Sequence, residues 1–416
     1  MNPMDPQRIR QDFPVFEREI AGKPIAFFDG PGGSQVPRQV ADAVAEYLTL
    51  HNANTHGHFA TSDETDAVID GARAAMADFV GGDAGEIVFG ANMTTLTLHL
   101  SRSLGREWVE GDEVVVTALD HQANVAPWRM MAEDAGMTVR VVPFDPETLQ
   151  LDYGALESLL SSRTRLLAIG AASNAVGTIN DVRRAAEMAR AAGALTFVDA
   201  VHYAPHRLVD VRELGCDFLA CSAYKFFGPH AGILWGRREL LEGFRPYRLP
   251  PAPSEAPGRW ETGTQNHEAI AGIAAAVEWI ASIAGDGAGS RREALRHSFE
   301  ALHEHESNLF RCLEDGLRAL PGVRFHGAAR GRPRTPTAAF TVDGVSPDEV
   351  ARRLGREGVF VWNGDFYATT VCDALGLSDC GGLVRAGIAP YTTEDDVARL
   401  VDGVGRMAAE SSGEVK

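Results

Sequence analysis

From about residue 36 onward the chain alternates two hydrophobic rhythms. Short, nearly continuous apolar runs, EIVFG (86–90), EVVVT (113–117), VRVV (139–142), RLLAIG (165–170), LTFVD (195–199), FLACS (218–222) and GILWG (232–236), predict strands covered on both faces. Between them, 64–80, 94–104, 123–135 and 181–192 carry apolar residues at helical spacing and are long enough to cross over between parallel strands. The order predicts an α/β domain built on a mostly parallel seven-stranded sheet flanked by helices.

A proline-rich stretch at 245–260 breaks this rhythm and predicts a loop, followed by two long helices over 266–284 and 290–319. Beyond residue 320, strand-like VRFHG, TAAFTV, GVFVW and GLVRAG alternate with helical patterns near 346–356 and 393–410. The expected organisation is an N-terminal segment (1–35), a large α/β domain (36–285) and a small α+β domain (286–416).

Composition narrows the function. Among 416 residues, 39 are basic and 57 acidic, a formal charge of −18, which repels phosphate backbones and anionic lipid. Nucleic acid and membrane are therefore not expected partners. With 45% hydrophobic and 23% charged residues the chain reads as a globular enzyme. MNPMDPQRIRQDF lacks a basic head leading into an apolar stretch, and no run of ~18 apolar residues occurs, so a cytoplasmic location is expected. Five cysteines without CxxC or Cys/His spacing predict reduced thiols and no structural zinc. His51, His56 and His58 lack carboxylate or cysteine partners at ligand spacing, so no metal site is expected there either.

In open α/β sheets ligands collect beyond the carboxyl ends of the strands, which makes polar residues just after a strand the first candidates. Asp199 closes LTFVD, His202 follows three residues on, and Lys225 stands just past FLACS. A lone lysine is ordinarily a surface residue. One that closes an apolar strand and precedes FFGPHAG is poorly placed for solvation and suits Schiff-base chemistry. In GANMTTLTLHL, Asn92, Met93, Thr94 and Thr95 open a helix, where free amides and the dipole favour an anion; the same hydroxyls also cap ordinary helices.

Seven motifs in order, FFDGPGG (27–33), DHQANVAPW (120–128), SNAVGTINDV (173–182), VDAVHYAPH (198–206), SAYKFFGPHAG (222–232), ETGTQNHEAI (261–270) and RAGIAPYTTEDDV (385–397), resemble the fold-type I enzymes of pyridoxal 5'-phosphate, specifically aminotransferase class V and its cysteine desulfurase branch. The resemblance implies that Lys225 holds the cofactor as a Schiff base and shuttles protons, that Asp199 sits beside the pyridine nitrogen, and that His121 stacks on the ring. It assigns Met93, Thr94, Thr95 and Ser222 to the cofactor phosphate. Thr264 would reach the phosphate of a neighbouring subunit, implying a homodimer with shared active sites. Asn174 would lie near the ring hydroxyl and the substrate carboxylate, Arg385 would clamp that carboxylate, and the 51–60 loop would line the site, with His56 as a substrate contact.

The chain departs from that pattern in its pocket. Desulfurases carry a sulfur-accepting cysteine in a loop like RTGHHCA; the matching stretch here is WNGDFYA (362–368), with Tyr367 in the cysteine's place and Trp362 in that of the first arginine. His202 replaces a glutamine at the ring hydroxyl, and Tyr224 replaces the histidine before the lysine. Cys372 follows five residues after Tyr367, where a buried, inert thiol is the ordinary expectation. The resulting expectation is a carbon–sulfur lyase acting by β-elimination on cysteine or an S-substituted cysteine. Decarboxylation with deamination, epimerisation and transamination use the same apparatus and stay open, as does a non-catalytic desulfurase-like partner protein.

Overall fold

The computed structural model describes residues 4–285 and 287–413. Its main sheet has seven strands: β1 (Ile87–Gly90), β2 (Glu113–Thr117), β3 (Thr138–Val142), β4 (Thr164–Gly170), β5 (Leu195–Asp199), β6 (Phe218–Ser222) and β7 (Gly232–Gly236). They lie in the order β1-β7-β6-β5-β4-β2-β3. Only β7 runs against its neighbours. Each predicted apolar run is a strand of this sheet.

Strand periodicity explains why those runs are nearly continuously apolar. In β4, Leu166 and Ala168 join one apolar cluster while Leu167 and Ile169 join the other; β2 and β6 divide their residues in the same way. Both faces are covered, so both alternate positions are apolar through the middle of these strands, and buried polar residues such as Glu113, Thr117, Thr164 and Ser222 stand at their ends.

A second sheet is antiparallel, with β8 (Val323–His326), β9 (Thr337–Val342), β10 (Trp362–Gly364) and β11 (Leu383–Gly387) ordered β8-β9-β11-β10. The 29-residue helix Arg291–Ala319 serves both bodies. Leu295, Phe299 and Leu302 pack into the core beside the main sheet, whereas Leu309, Phe310, Leu313 and Leu317 pack with the second sheet.

GVFVW, expected as one strand, is divided. Val359–Phe360 pairs in parallel with Ala26–Phe27 from the beginning of the chain, and Trp362 starts β10. The N-terminal segment is thereby fastened to the second sheet: Ala26 N–H donates to Gly358 O, and Gly387 N–H to Phe28 O. Residues 29–33 then lead across to Ser34, whose N–H donates to Tyr224 O.

Candidate active site

The carboxyl ends of β1, β2, β4, β5 and β6 open on one side of the sheet, and the residues that follow them meet around a cavity of about 390 Å³. Met93 and Thr94 follow β1, His121 follows β2, Asn174 follows β4, Asp199 and His202 end and follow β5, and Ser222, Tyr224 and Lys225 end and follow β6. Trp362, Tyr367 and Arg385 close it from the second sheet. Twelve residues singled out from sequence are thus brought together.

The helix Met93–Leu104 begins at this cavity. Met93 N–H donates to Ser222 Oγ (3.0 Å) and Thr95 N–H to Asn92 Oδ1 (2.9 Å), leaving the Thr94 amide as the first-turn donor with no acceptor among the described residues. Gly232 permits this approach, since a Cβ there would fall 2.3 Å from the Asn92 carbonyl carbon. The helix start, its dipole and the Ser222 hydroxyl form an anion cradle.

Thr95, expected in that cradle, does not line the cavity. Its hydroxyl donates to Asn92 O (2.9 Å) and accepts from Asn92 N–H (3.2 Å), closing a capping box.

Lys225 Nζ donates to Pro31 O (2.6 Å) and lies 4.9 Å from the centroid of the Tyr224 ring. Burial, reinforced by the positive charge of Arg385, pulls its pKa down to about 7, against the pull of Asp199. A large fraction of this amine is therefore unprotonated and nucleophilic near neutral pH. Burial raises Asp199 to about 6, opposed by the Val201 N–H and by Lys225.

Asp120 is the first residue of the DHQANVAPW motif, directly before His121, and the motif alone gives it no role. The structure buries it in the cavity wall, where Oδ2 accepts from Gly170 N–H and Asn124 Nδ2, both at 2.8 Å. Burial lifts its carboxyl to about 7, with the charge of Asp199 adding to the rise. No pattern in the sequence distinguishes such a residue from a turn aspartate. His121 accepts the Ala123 N–H at Nδ1 (2.9 Å), and burial followed by the Lys225 and Arg385 charges holds it near 4, so it is neutral. His202 shares Nε2 with the hydroxyls of Thr337 (2.9 Å) and Thr335 (3.1 Å), and burial keeps it neutral too.

Arg385 is buried on β11, one Nη donating to Asn174 O (2.8 Å), while its Nε has no acceptor among the described residues. Asn174 Oδ1 is also orphaned, its Nδ2 donating to Phe366 O (2.8 Å). Buried polar atoms without partners are costly and mark where a ligand's atoms complete the set.

The loop after β10 is strained. Phe366 and Tyr367 are consecutive left-handed residues (φ 57° and 58°), a conformation costing about 1–2 kcal/mol each for side chains of this kind. It is held by the Asn174 bond and by Gln122 N–H donating to Tyr367 O (2.8 Å). The turn directs Phe366 onto Arg385, ring centroid to Cζ 4.0 Å, and Tyr367 onto His121, ring centroids 5.3 Å apart. No cysteine lines the cavity among the described residues; Cys372 is fully buried nearby, and burial raises its thiol to about 11.

His56 and Thr264 stand elsewhere. Both line a separate surface groove with Arg73, Tyr247 and His267, and neither reaches Lys225 within this chain.

The aminotransferase class-V family description matches residues 26–400. A cysteine desulfurase of Pectobacterium carotovorum is 31% identical over 417 residues, covering 96% of this chain and 97% of its own. The apo structure of a cysteine desulfurase from Thermococcus onnurineus superposes with a TM-score of 0.87 at 27% identity, covering 99% of both chains. The cysteine desulfurase CsdA of Escherichia coli gives 0.84 at 29%, covering 98% of this chain and 99% of its own. Among the described residues no helix is long and apolar enough to cross a membrane.

Pyridoxal 5'-phosphate, when bound, supplies an aldehyde for amines and a ring that accepts negative charge from Cα. The cavity fits that group: a lysine whose lowered pKa leaves much of it unprotonated for the aldehyde, an anion cradle for the phosphate, and a carboxylate at the end of β5, the strand beside the lysine's. Fold, cavity and family match agree that the chain is a pyridoxal-phosphate-dependent enzyme belonging to the aminotransferase class-V family.

Proposed function

We propose that the protein is a carbon–sulfur lyase that removes the β-substituent of cysteine or an S-substituted cysteine without an enzyme thiol. The observation that carries this reading is a cavity holding a nucleophilic lysine and a buried strand-end carboxylate, with no cysteine in its wall. A desulfurase-type relay needs a thiolate acceptor, and Tyr367 offers none.

Lys225 takes the Cα proton; Asp199 holds a proton opposite the developing negative charge; Arg385 and Asn174 orient the carboxylate. The Cβ–S bond breaks with its electron pair leaving on sulfur, which takes a proton. Water converts the released enamine to pyruvate and ammonium, so thioether and water give thiol, pyruvate and ammonium with no net oxidation.

The relatives named as cysteine desulfurases support a sulfur-containing amino acid as the substrate class. The groove bearing His56 and Thr264 supports a homodimer, since the family resemblance sends Thr264 to a neighbouring subunit. The test incubates cofactor-loaded protein with S-substituted cysteines and follows products by mass spectrometry. Thiol plus pyruvate is expected. An aldehyde would replace this reading with decarboxylation and deamination, and deuterium uptake at Cα without a new product would replace it with epimerisation.

A further inference from the structure

The geometry points to an aromatic subsite, formed by Trp362 and Tyr367, that takes an aryl or other bulky apolar group on the sulfur of the substrate. This rests on the carbon–sulfur lyase reading and names its substrate class.

Three aromatic side chains enter the cavity wall within six residues, but they are not equivalent. Phe366 is half-buried and occupied: its ring covers one side of the Arg385 guanidinium at 4.0 Å, acting as a positioning residue for that cation. Trp362 and Tyr367 remain 48% and 69% exposed while lining the same cavity as Lys225 and Arg385. Large apolar groups left open at the rim of a ligand cavity are surface held for a ligand.

The backbone fixes this division. With Phe366 and Tyr367 both left-handed, the chain turns Phe366 inward and leaves Tyr367 at the mouth, where its carbonyl is tied to Gln122 and its ring to His121. Trp362 is placed by β10 pairing opposite Arg385 itself, so the indole and the carboxylate clamp are neighbours across two strands. An amino acid held through its carboxylate by Arg385, and through its amine near Lys225, has only its side chain free to extend. Beside these two rings the wall carries the acidic Asp365, whose Oδ1 accepts the Tyr367 N–H (2.9 Å), so an anionic extension is disfavoured there and an aromatic one finds two rings.

The test compares S-benzylcysteine, S-methylcysteine and cysteine on the cofactor-loaded full chain. Expected is a kcat/KM for the benzyl thioether at least about tenfold above that for cysteine. The benzyl-to-methyl ratio should fall about tenfold in the Trp362→Ala/Tyr367→Ala double variant and be kept by Tyr367→Phe. A second readout is independent of turnover: tryptophan emission of the loaded protein, with Trp362→Phe subtracted, should shift on titration with S-benzylcysteine.

Equal turnover of all three substrates, unmoved by the double variant, overturns the subsite and leaves the lyase reading standing. An emission shift on benzyl binding with no pyruvate from any substrate supports the subsite and removes the lyase reading. An emission change that follows protein concentration instead of ligand assigns Trp362 to contact with a second copy and overturns the proposal.

Discussion

Lys225 Nζ donates a 2.6 Å hydrogen bond to the carbonyl of Pro31, a residue of the segment that crosses from the second sheet to the main one. The amine is thus held at a fixed point in the cavity while burial keeps its pKa near 7. Capture of cofactor aldehyde requires the unprotonated amine, whose fraction grows as pH rises through that value. The rate of colour development on mixing apo-protein with pyridoxal phosphate is expected to climb through about pH 7 and level off about one unit above it. A rate still climbing toward pH 10 would mean an ordinary, solvated lysine.

Replacing that lysine separates chemistry from folding. Lys225→Ala is expected to abolish the visible absorbance of the loaded protein. Unfolding free energy should stay within about 1 kcal/mol or rise, because a desolvated amine is removed. Absorbance spectra and denaturant titrations check both.

Arg385 presents a planar fork, one Nη committed to Asn174 O and Nε open. Arg385→Lys keeps a positive charge but loses the fork and the Phe366 contact, so KM for amino-acid substrates should rise about tenfold or more, beyond any loss in kcat. Steady-state kinetics on a responsive substrate would show it; an unchanged KM would remove Arg385 from carboxylate recognition.

Cys372 is fully buried and outside the cavity wall. Cys372→Ala should lower stability by about 1 kcal/mol through lost packing and leave turnover per folded molecule within about twofold. Collapse of activity in a folded variant would restore a sulfur-accepting role to this thiol.

At Gly32, a Cβ would fall 2.1 Å from Trp362 Nε1. Gly32→Ala must therefore displace the indole, and kcat/KM for S-benzylcysteine is expected to fall about tenfold while Tm moves by only about 2 °C, since Trp362 is half-exposed. Retained efficiency would show that the indole's position is not used.

What was legible in the sequence follows from where the constraints are local. The inner strands of the main sheet are covered on both faces, so their apolar runs are self-announcing, while the edge strand β3 is partly exposed; Asp199 and Lys225 stand at fixed positions relative to strand ends. GVFVW misled because its β-branched run records extended backbone and not its partners; Val359–Phe360 pairs with Ala26–Phe27, over 330 residues away. Thr95 misled because a hydroxyl at a helix start suits a cap as well as an anion, and here the cap has it. Asp120 and the Phe366 contact with Arg385 depend on burial and loop geometry, which no spacing encodes.

The stitching of the chain's beginning to its end bears on when the protein can fold. Arg10 Nε donates to Tyr391 O (2.8 Å) across 381 residues, the same guanidinium pairs with Asp396, and Ala26–Phe27 pairs with Val359–Phe360. During synthesis these residues wait until residues 359–396 have emerged, whereas β1 to β7 can assemble from chain released earlier. Such long-range closures are the slow ones. Docking of the N-terminal segment should therefore be a late event in maturation, and until it occurs Phe13, Phe27 and Phe28 lack the cores that bury them in the finished molecule.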